Sequence, residues 1–301
     1  MASYPFVEPT AAQDAFEEHR KLLFGIAYRM LGTVADTEDL VQEAWVRWQG
    51  ADHAAIRSPR AFLTTIVTRL AINQLDSARH RREEYIGPWL PEPLLVAPDA
   101  DQNAQLAESL SQAFLRLLEH LSPIERAVLL LREVFDYEYD EVARMVDKTE
   151  ANCRQILKRA KQGLAAPKSR KSPAPETQRH LASEFGRAVR DGDLATLMGL
   201  LSPEVILYSD GGGQIAAALN PIYGPDKVAR FLVGVARKSS ADSIEYTSVN
   251  GGLGALILDH EVVDSTLSFE FDGDHIVGLY FVRNPDKLRH LQKQPNLGNR
   301  I

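Results

Sequence analysis

The amino-acid sequence predicts a multidomain protein. Two all-α helical domains, the second with a helix-turn-helix, precede an α+β cone with a curved antiparallel sheet. Apolar residues recur at helical spacing through the first half of the chain, whereas glycine-rich turns and β-branched runs dominate after residue 176. Two proline-containing stretches separate these parts. We therefore expect helical domains at 10–82 and 106–165, a proline-rich acidic linker at 83–105, a second linker at 166–175, the α+β domain at 176–290 and a tail at 291–301.

Composition restricts the class of protein. The chain has 301 residues, of which 45% are hydrophobic and 25% charged, as in folded globular proteins. The single cysteine, Cys153, excludes an internal disulfide and a multi-thiolate metal site, so we expect neither a metal nor another cofactor. No apolar run is long enough to span a bilayer, and the first residues lack an export signal. These features predict a cytoplasmic protein that does not contact a membrane.

Charge is distributed unevenly along the chain. The net charge is −7, yet segment 144–171 has nine Lys and Arg residues against two acids, a local charge of +7. A basic segment within an acidic protein indicates a polyanionic partner. Segment 83–108 has the opposite character, with six acids, four prolines and no Lys or Arg, which is typical of an extended linker.

The first helical domain contains three predicted helices. Apolar spacing over Phe16–Met30 marks the first helix, Asp36 can cap the second, and Ser58-Pro59 opens the third. The second helix carries an acidic edge next to Trp45 and Trp48, and such a combination fits either a protein-docking surface or a buried core. The acids of this edge are Asp36, Glu38, Asp39 and Glu43.

The third helix has an apolar stripe and an opposite polar face. Hydroxyl, amide and arginine side chains on that face suit the backbone or the exposed bases of a nucleic acid. A solvated helix face is an equally good interpretation of these residues taken alone. The candidate contact residues are Thr65, Thr68, Arg69, Asn73, Asp76 and Arg79.

The second helical domain contains a predicted helix-turn-helix. A capping box with proline, Ser122-Pro123-Ile124-Glu125, begins one helix; a short helix over 139–146 then precedes a longer basic helix over 150–164. Helical spacing places Cys153 on the inward side. The outward side carries Arg, Gln and Lys side chains of the kind that read base edges and bind phosphates in a DNA major groove. The candidate contacts there are Ala151, Asn152, Arg154, Gln155, Lys158 and Arg159.

The third domain mixes helices and strands. One helix is predicted around Leu181–Val189 and another is opened by Pro225; turn signals such as Asn250-Gly251 and Asp272-Gly273 separate the strands. Helices packed against a curved antiparallel sheet form an α+β cone. The strands are expected at 205–208, 243–249, 255–260, 265–271 and 275–282.

Four colinear features of the helical part, Thr37–Trp45, Pro59–Leu63, Leu121–Arg126 and the helix-turn-helix, resemble an extracytoplasmic-function (ECF) RNA polymerase sigma factor of the sigma-70 superfamily. The resemblance implies that the second helix docks on core RNA polymerase, that the Ser58 helix recognises and melts the −10 element, and that the Glu150 helix reads the −35 element. Lys148 departs from the aliphatic residue that the family usually has before the recognition helix. The implied polymerase contacts are Asp36, Asp39, Gln42 and Glu43.

The remaining motifs resemble the subgroup of these factors with a SnoaL-like C-terminal extension. They are the linker Gly87–Pro93, the Asp210–Gly213 turn and the Asn284–Leu288 segment. The resemblance implies that the extension regulates the factor in cis, in place of a separate anti-sigma protein. Gln214 stands where the subgroup usually has a lysine. The implied regulatory contacts are Trp89, Pro91, Asp210, Gly211, Gly212, Gly213, Asn284, Pro285, Asp286 and Lys287.

Catalysis by the cone is the competing interpretation, because SnoaL-like cones in other proteins are cyclases or isomerases. Titratable side chains are present but stand in no recognisable catalytic spacing: Asp210, Asp259, His260, Glu270 and His275. We therefore predict a non-enzymatic promoter-specificity subunit that binds core RNA polymerase and double-stranded and melted promoter DNA. The alternative is a DNA-binding regulator fused to a SnoaL-like enzyme or a ligand-sensing domain. The sequence leaves open whether the cone binds a small molecule.

Overall fold

The computed structural model of the chain describes residues 11–83, 85–95, 106, 108–164 and 170–292. The helices of the first half are, in chain order, α1 (Ala11–Leu31), α2 (Val34–Gln49), α3 (Pro59–Glu83), α4 (Gln112–Leu118), α5 (Pro123–Leu129), α6 (Tyr139–Val146) and α7 (Glu150–Gly163). A 3-10 turn (His53–Ala55) follows α2, and a π-helical turn (Leu130–Val134) extends α5. The second half contains α8 (Pro175–Asp191), α9 (Leu194–Leu200), β1 (Leu201–Asp210), β2 (Ile222–Tyr223), α10 (Pro225–Ala236), β3 (Ser243–Val249), β4 (Gly252–Asp259), β5 (Val262–Asp272), β6 (His275–Val282) and α11 (Pro285–Leu288).

The chain forms two compact units whose boundaries differ from the predicted domain boundaries. The first unit consists of Met1–Ala78 and Leu121–Gly163, and the second of Arg79–His120 and Leu164–Ile301. The described part of the acidic linker therefore packs with the C-terminal cone. So does α4, which was predicted to belong to the second helical domain.

The first unit is a helical bundle whose core follows the apolar periodicity of its sequence. Phe16 and Leu23 of α1 and Leu63 of α3 are all buried. α5 begins with the predicted capping box, in which the Ser122 hydroxyl accepts from the Glu125 amide (3.4 Å) and the Glu125 carboxylate accepts from the Ser122 amide (3.0 Å). Local capping and apolar burial together position these helices.

Arginine side chains join the two predicted helical segments inside this unit. Arg126 on α5 is buried and donates a hydrogen bond to the Met30 carbonyl on α1 (2.6 Å). Arg69 on α3 donates to the carbonyls of Arg144 and Met145 at the end of α6, at 2.9 and 3.0 Å. The last carbonyls of a helix lack intrahelical partners, so Arg69 caps α6 while it holds α3 against it.

The second unit contains a six-stranded sheet in the order β2-β1-β6-β5-β4-β3. Neighbouring strands are antiparallel except β1 and β6, which are parallel. The predicted hairpin turn joins β3 to β4, with positive φ at Asn250 (53°) and Gly251 (73°). Helices α8, α9 and α10 pack on one side of the sheet, which we call the inner face. The predicted α+β cone is confirmed.

The opposite side of the sheet, the outer face, is covered by the linker. Leu90 is fully buried there among Leu256, Val282 and Leu288. Because side chains alternate along a strand, β4 directs Ala255 into the cone and Leu256 toward the linker. Among the described residues, no helix is both long and apolar enough to cross a membrane.

Candidate functional site

The helix-turn-helix of the first unit presents a basic face on α7. α6 ends at Asp147, whose backbone is left-handed (φ 54°), and the Thr149 hydroxyl caps α7 by accepting from the Asn152 amide (3.2 Å). Cys153 is fully buried as predicted, and burial raises the pKa of its thiol. Asn152 is half-buried. The exposed residues of the predicted contact set are Ala151, Arg154, Gln155, Lys158 and Arg159.

Two cations of this face differ in their partners. Arg154 donates to the Glu150 carboxylate (2.9 Å) and lies over the ring of Tyr139, 4.6 Å from its centroid. Lys158 makes no ion pair with any residue that the structure describes. Arg154 would have to exchange these intramolecular contacts for a base, whereas Lys158 can bind a phosphate without breaking a contact.

The polar face of α3 is only partly exposed. The prediction that Thr68 lies on that face is wrong, because its side chain is fully buried. The reason lies one turn earlier, where the Thr64 hydroxyl makes a hydrogen bond with the Tyr137 hydroxyl (2.9 Å). This side of α3 is therefore covered by the segment that leads into α6, a long-range contact that helical spacing does not reveal.

The other α3 candidates lie in different surroundings. Thr65 is half-buried and donates to the Ala61 carbonyl (2.7 Å). Arg69 is exposed but bonded to α6, while Asn73 and Asp76 are exposed. The side chain of Arg79 lies outside the described residues.

The acidic edge of α2 is a surface feature. Glu43 forms an ion pair with Arg47 (2.6 Å), and Asp36 is half-buried and accepts from the Thr33 hydroxyl (2.6 Å). The remaining predicted polymerase contacts, Asp39 and Gln42, are exposed.

The two tryptophans of α2 do not contribute exposed anchors to this edge. Trp48 is buried and donates to the Ala12 carbonyl (2.7 Å), and Trp45 packs against Phe16 with ring centroids 4.9 Å apart. The core interpretation of the pair is therefore correct. The large apolar side chain exposed on α2 is Val46, at 59% exposure. Val46 comes seven residues after Asp39, four after Gln42 and three after Glu43, so helical spacing places it on the same face as these residues. That spacing could have identified Val46 from the sequence.

In the second unit, motifs from distant parts of the sequence meet at a buried ion pair. Asp210 and Lys287 are 0% and 5% exposed, and Lys287 Nζ lies 2.7 Å from Asp210 Oδ2. The Leu90 amide donates to the same carboxylate (2.9 Å), and the Leu90 carbonyl accepts from Lys287 (2.5 Å). We call this arrangement, with Tyr85 and Trp89, the linker junction.

Two aromatic rings of the linker enclose the cation. Lys287 Nζ lies 4.2 Å from the ring centroid of Trp89 and 4.9 Å from that of Tyr85. The Tyr85 hydroxyl donates to Asp210 Oδ1 (2.5 Å) and accepts from the Asn284 amide (2.9 Å). Burial and the Asp210 carboxylate raise the pKa of Tyr85, so its hydroxyl keeps the proton that it donates.

The glycine run beside Asp210 allows close backbone approach. A Cβ on Gly211 would lie 2.2 Å from the Ile215 carbonyl oxygen, and one on Gly212 would lie 2.3 Å from the Asn284 amide nitrogen. Gly212 also has a positive φ of 61°. At Gly213, which is exposed, the added atom would meet Ile86 of the linker at 2.9 Å.

The rest of the predicted regulatory set lies around the junction. Gln214 donates to the Asp286 carboxylate (2.6 Å), so an uncharged donor binds this carboxylate where a lysine would form an ion pair. Pro285 begins α11 and is exposed. Pro91 is buried, and its carbonyl accepts from the side-chain amide of Gln112 on α4 (3.2 Å).

Asn250 is an anchor that the sequence analysis identified only as a turn residue. Its side-chain oxygen accepts from the Leu94 amide and from Gln112, both at 3.1 Å, and its own amide donates to the Leu94 carbonyl (2.7 Å). Arg116 on α4 lies over the ring of Tyr208, 3.7 Å from its centroid. The cone thus binds both the linker and α4.

Of the titratable candidates for catalysis, only the neighbours Asp259 and His260 are seen in contact, with His260 Nε2 3.8 Å from Asp259 Oδ1 in the described part of the chain. Asp210 belongs to the linker junction. Glu270 accepts from the Tyr280 hydroxyl (3.0 Å) and pairs with Arg170, whereas His260 is exposed beside Asp242. Asp259 is half-buried, and His275 is exposed. Within the described ranges, no group of His, Cys, Asp and Glu could hold a metal ion.

Comparison with known proteins connects these features to one family. The sigma-70 region 2 model matches residues 15–81, and the sigma-70 region 4 model matches residues 111–164. The ECF RNA polymerase sigma factor SigJ of Mycobacterium tuberculosis is 37% identical over 287 residues, which cover 90% of this chain and 91% of SigJ. The probable ECF RNA polymerase sigma factor SigI of the same species is 32% identical over 75% of this chain and 77% of its own. The crystal structure of M. tuberculosis SigJ matches with a TM-score of 0.73 and 32% identity, covering 92% of this chain and 98% of that one. The chain therefore belongs to the ECF RNA polymerase sigma factors.

Proposed function

We propose that this sigma factor is regulated in cis by its C-terminal cone, which holds the linker and the first helix of region 4. The observation that carries the proposal is the buried Asp210–Lys287 ion pair, which binds both the amide and the carbonyl of Leu90. A surface ion pair would contribute little, but a buried and fully bonded pair fixes the backbone that it binds. The linker connects the two promoter-binding regions, so its position governs their separation.

The partners follow from the exposed surfaces of the first unit. The acidic edge of α2 with Val46 docks on core RNA polymerase, since opposed charges set association and an apolar centre adds burial. The exposed polar residues of α3 contact the −10 element in its melted form. The exposed face of α7 enters the major groove of the double-stranded −35 element.

Initiation requires the first unit to open. The −10 and −35 elements are separated by about 25 base pairs, or about 85 Å of B-DNA. Helix α3 is hydrogen-bonded to α6 through Arg69, at 2.9 and 3.0 Å, so α3 and the helix-turn-helix cannot occupy both elements at once. We infer that this arrangement belongs to the factor before it engages polymerase, and that the cone, by holding the linker and α4, opposes or assists the opening.

Run-off transcription with purified core polymerase tests this proposal. The full-length chain is compared with Lys287→Met and Asp210→Asn variants, and Lys227→Met, an exposed lysine on α10, is the matched control. We expect the two junction variants to change transcript yield several-fold in the same direction, with the control unchanged. Equal yields from all four proteins, each shown to be folded by circular dichroism, would contradict regulation through the junction.

A further inference from the structure

A cavity of about 210 Å³ lies inside the cone, between the inner face of the sheet and the helices α8 and α10. Its walls are mainly apolar and include Phe185, Leu232, Leu267, Phe269 and Phe281. An engineered cavity of about 150 Å³ with similar walls binds benzene. The cone therefore has room for a larger apolar ligand, on the scale of two fused rings.

The strand register places Ser265 close to the start of β3, which Asp242 precedes. Ser265 on β5 is opposite Ile257 on β4, which is opposite Ile244 near the start of β3. Asp242 directly precedes β3, and Arg237 directly follows α10. All five residues line the cavity, and three of them, Ser265, Asp242 and Arg237, are polar.

Ser265 differs from Asp242 and Arg237 in its burial. It is fully buried, and its hydroxyl has no hydrogen-bond partner among the residues that the structure describes. A buried hydroxyl without a partner is destabilising, whereas the polar group of a ligand in the cavity would satisfy it.

Two arginines lie at the rim of the cavity. Arg190 on α8 and Arg237 are exposed cavity residues, and neither forms an ion pair with a described residue. Two carboxylates also line the cavity. Asp242 accepts from the Ser243 hydroxyl (3.1 Å) and lies 3.3 Å from the His260 ring, and Asp264 is half-buried. Guanidinium groups with free donors bind carboxylates through paired hydrogen bonds.

We propose that the cone binds an apolar carboxylic acid in this cavity. The apolar body packs against the Phe and Leu side chains, and the carboxylate accepts from Arg237, from Arg190 and from the Ser265 hydroxyl.

The test uses 2-naphthoate and its neutral counterpart 2-naphthalenemethanol as probes of the full-length chain, with affinities measured by isothermal titration calorimetry. We expect 2-naphthoate to bind about tenfold or more tightly than the alcohol, because only the acid pairs with the arginines. Arg237→Gln should remove about tenfold of that affinity. Arg187→Gln is the control, because this arginine lies on α8 outside the cavity and pairs with Glu184.

Ser265→Leu should abolish binding of both probes by filling the cavity. Ser265→Ala is the companion variant, since it removes only the hydroxyl, keeps the fold and should weaken 2-naphthoate alone. The proposal is overturned if neither probe binds, if the alcohol binds as tightly as the acid, or if a double Arg190→Gln, Arg237→Gln variant keeps the wild-type affinity.

Discussion

The Asp210–Lys287 pair shows how single residues position a linker. Both charges are buried, they pair with each other, and both bind the backbone of the same linker residue, Leu90. The sequence analysis identified these residues through motifs, and the structure places them in contact. The sequence analysis did not identify the linker-binding roles of Tyr85 and Asn250, because these roles depend on partners 125 and 156 residues away.

Removing one charge of this pair should release the linker. Breaking a buried ion pair costs about 3–5 kcal/mol, because the remaining charge stays buried without a partner. Lys287→Met should therefore accelerate hydrogen exchange in the peptide that contains Leu90, measured by mass spectrometry. The double variant Asp210→Asn, Lys287→Met leaves no unpaired charge and should restore part of the protection. Wild-type exchange in the single variant would show that the pair does not hold the linker.

Arg154 and Lys158 should differ in what they recognise. If Arg154 reads a base, Arg154→Ala costs about 1–3 kcal/mol on the cognate −35 element and little on a scrambled one. Lys158→Ala should weaken both DNAs equally and reduce the salt dependence of binding. Affinities on the two DNAs at several salt concentrations decide between these outcomes. Identical losses of affinity for the two variants on both DNAs would contradict the assignment of base reading to Arg154 and phosphate binding to Lys158.

At the scale of elements, local signals predicted what local interactions determine. Helix periodicity, the Ser122–Glu125 capping box and the Asn250-Gly251 turn are all present in the structure. The π-helical turn at Leu130–Val134, the short strand β2 and the parallel pairing of β1 with β6 were not predicted. Strand pairing and the burial of Thr68 depend on contacts between distant segments, which periodicity does not contain.

The α2 surface should dock on polymerase through charge and apolar contact together. Asp39→Arg should slow association with core polymerase, and Val46→Asp should speed dissociation, because steering charges act mainly on the association rate and buried apolar groups on the dissociation rate. Both positions are exposed, so thermal stability should change by less than about 0.5 kcal/mol. Surface plasmon resonance measures both rates. Unchanged association and dissociation rates in the double variant would show that this surface does not contact polymerase.

At the scale of the whole molecule, the compact units cut across the sigma regions. The region 4 match begins at residue 111, yet α4 packs with the cone while α5, α6 and α7 pack with region 2. Composition identified an acidic, proline-rich segment between the two predicted helical domains. It could not show that the described part of the linker is bound to the cone, since that depends on the Asp210–Lys287 pair.

Opening of the first unit should be measurable by fluorescence energy transfer. Dyes on Ser77→Cys in α3 and Gln162→Cys in α7 report the separation of the two promoter-binding helices, and Cys153 is too buried to be labelled. Transfer should be efficient in the free factor and should fall to near zero with polymerase and promoter, where the elements lie about 85 Å apart. Efficient transfer in the initiation complex would contradict the opening step.

The central claim, that this chain directs polymerase to promoters, is tested most directly by transcribing fragmented genomic DNA of the source organism with purified core polymerase and sequencing the RNA 5′ ends. With the full-length chain, we expect discrete start sites that share elements near −10 and −35, and Arg154→Ala should deplete the sites that depend on the −35 element. A set of start sites no different from that of core polymerase alone would contradict the account.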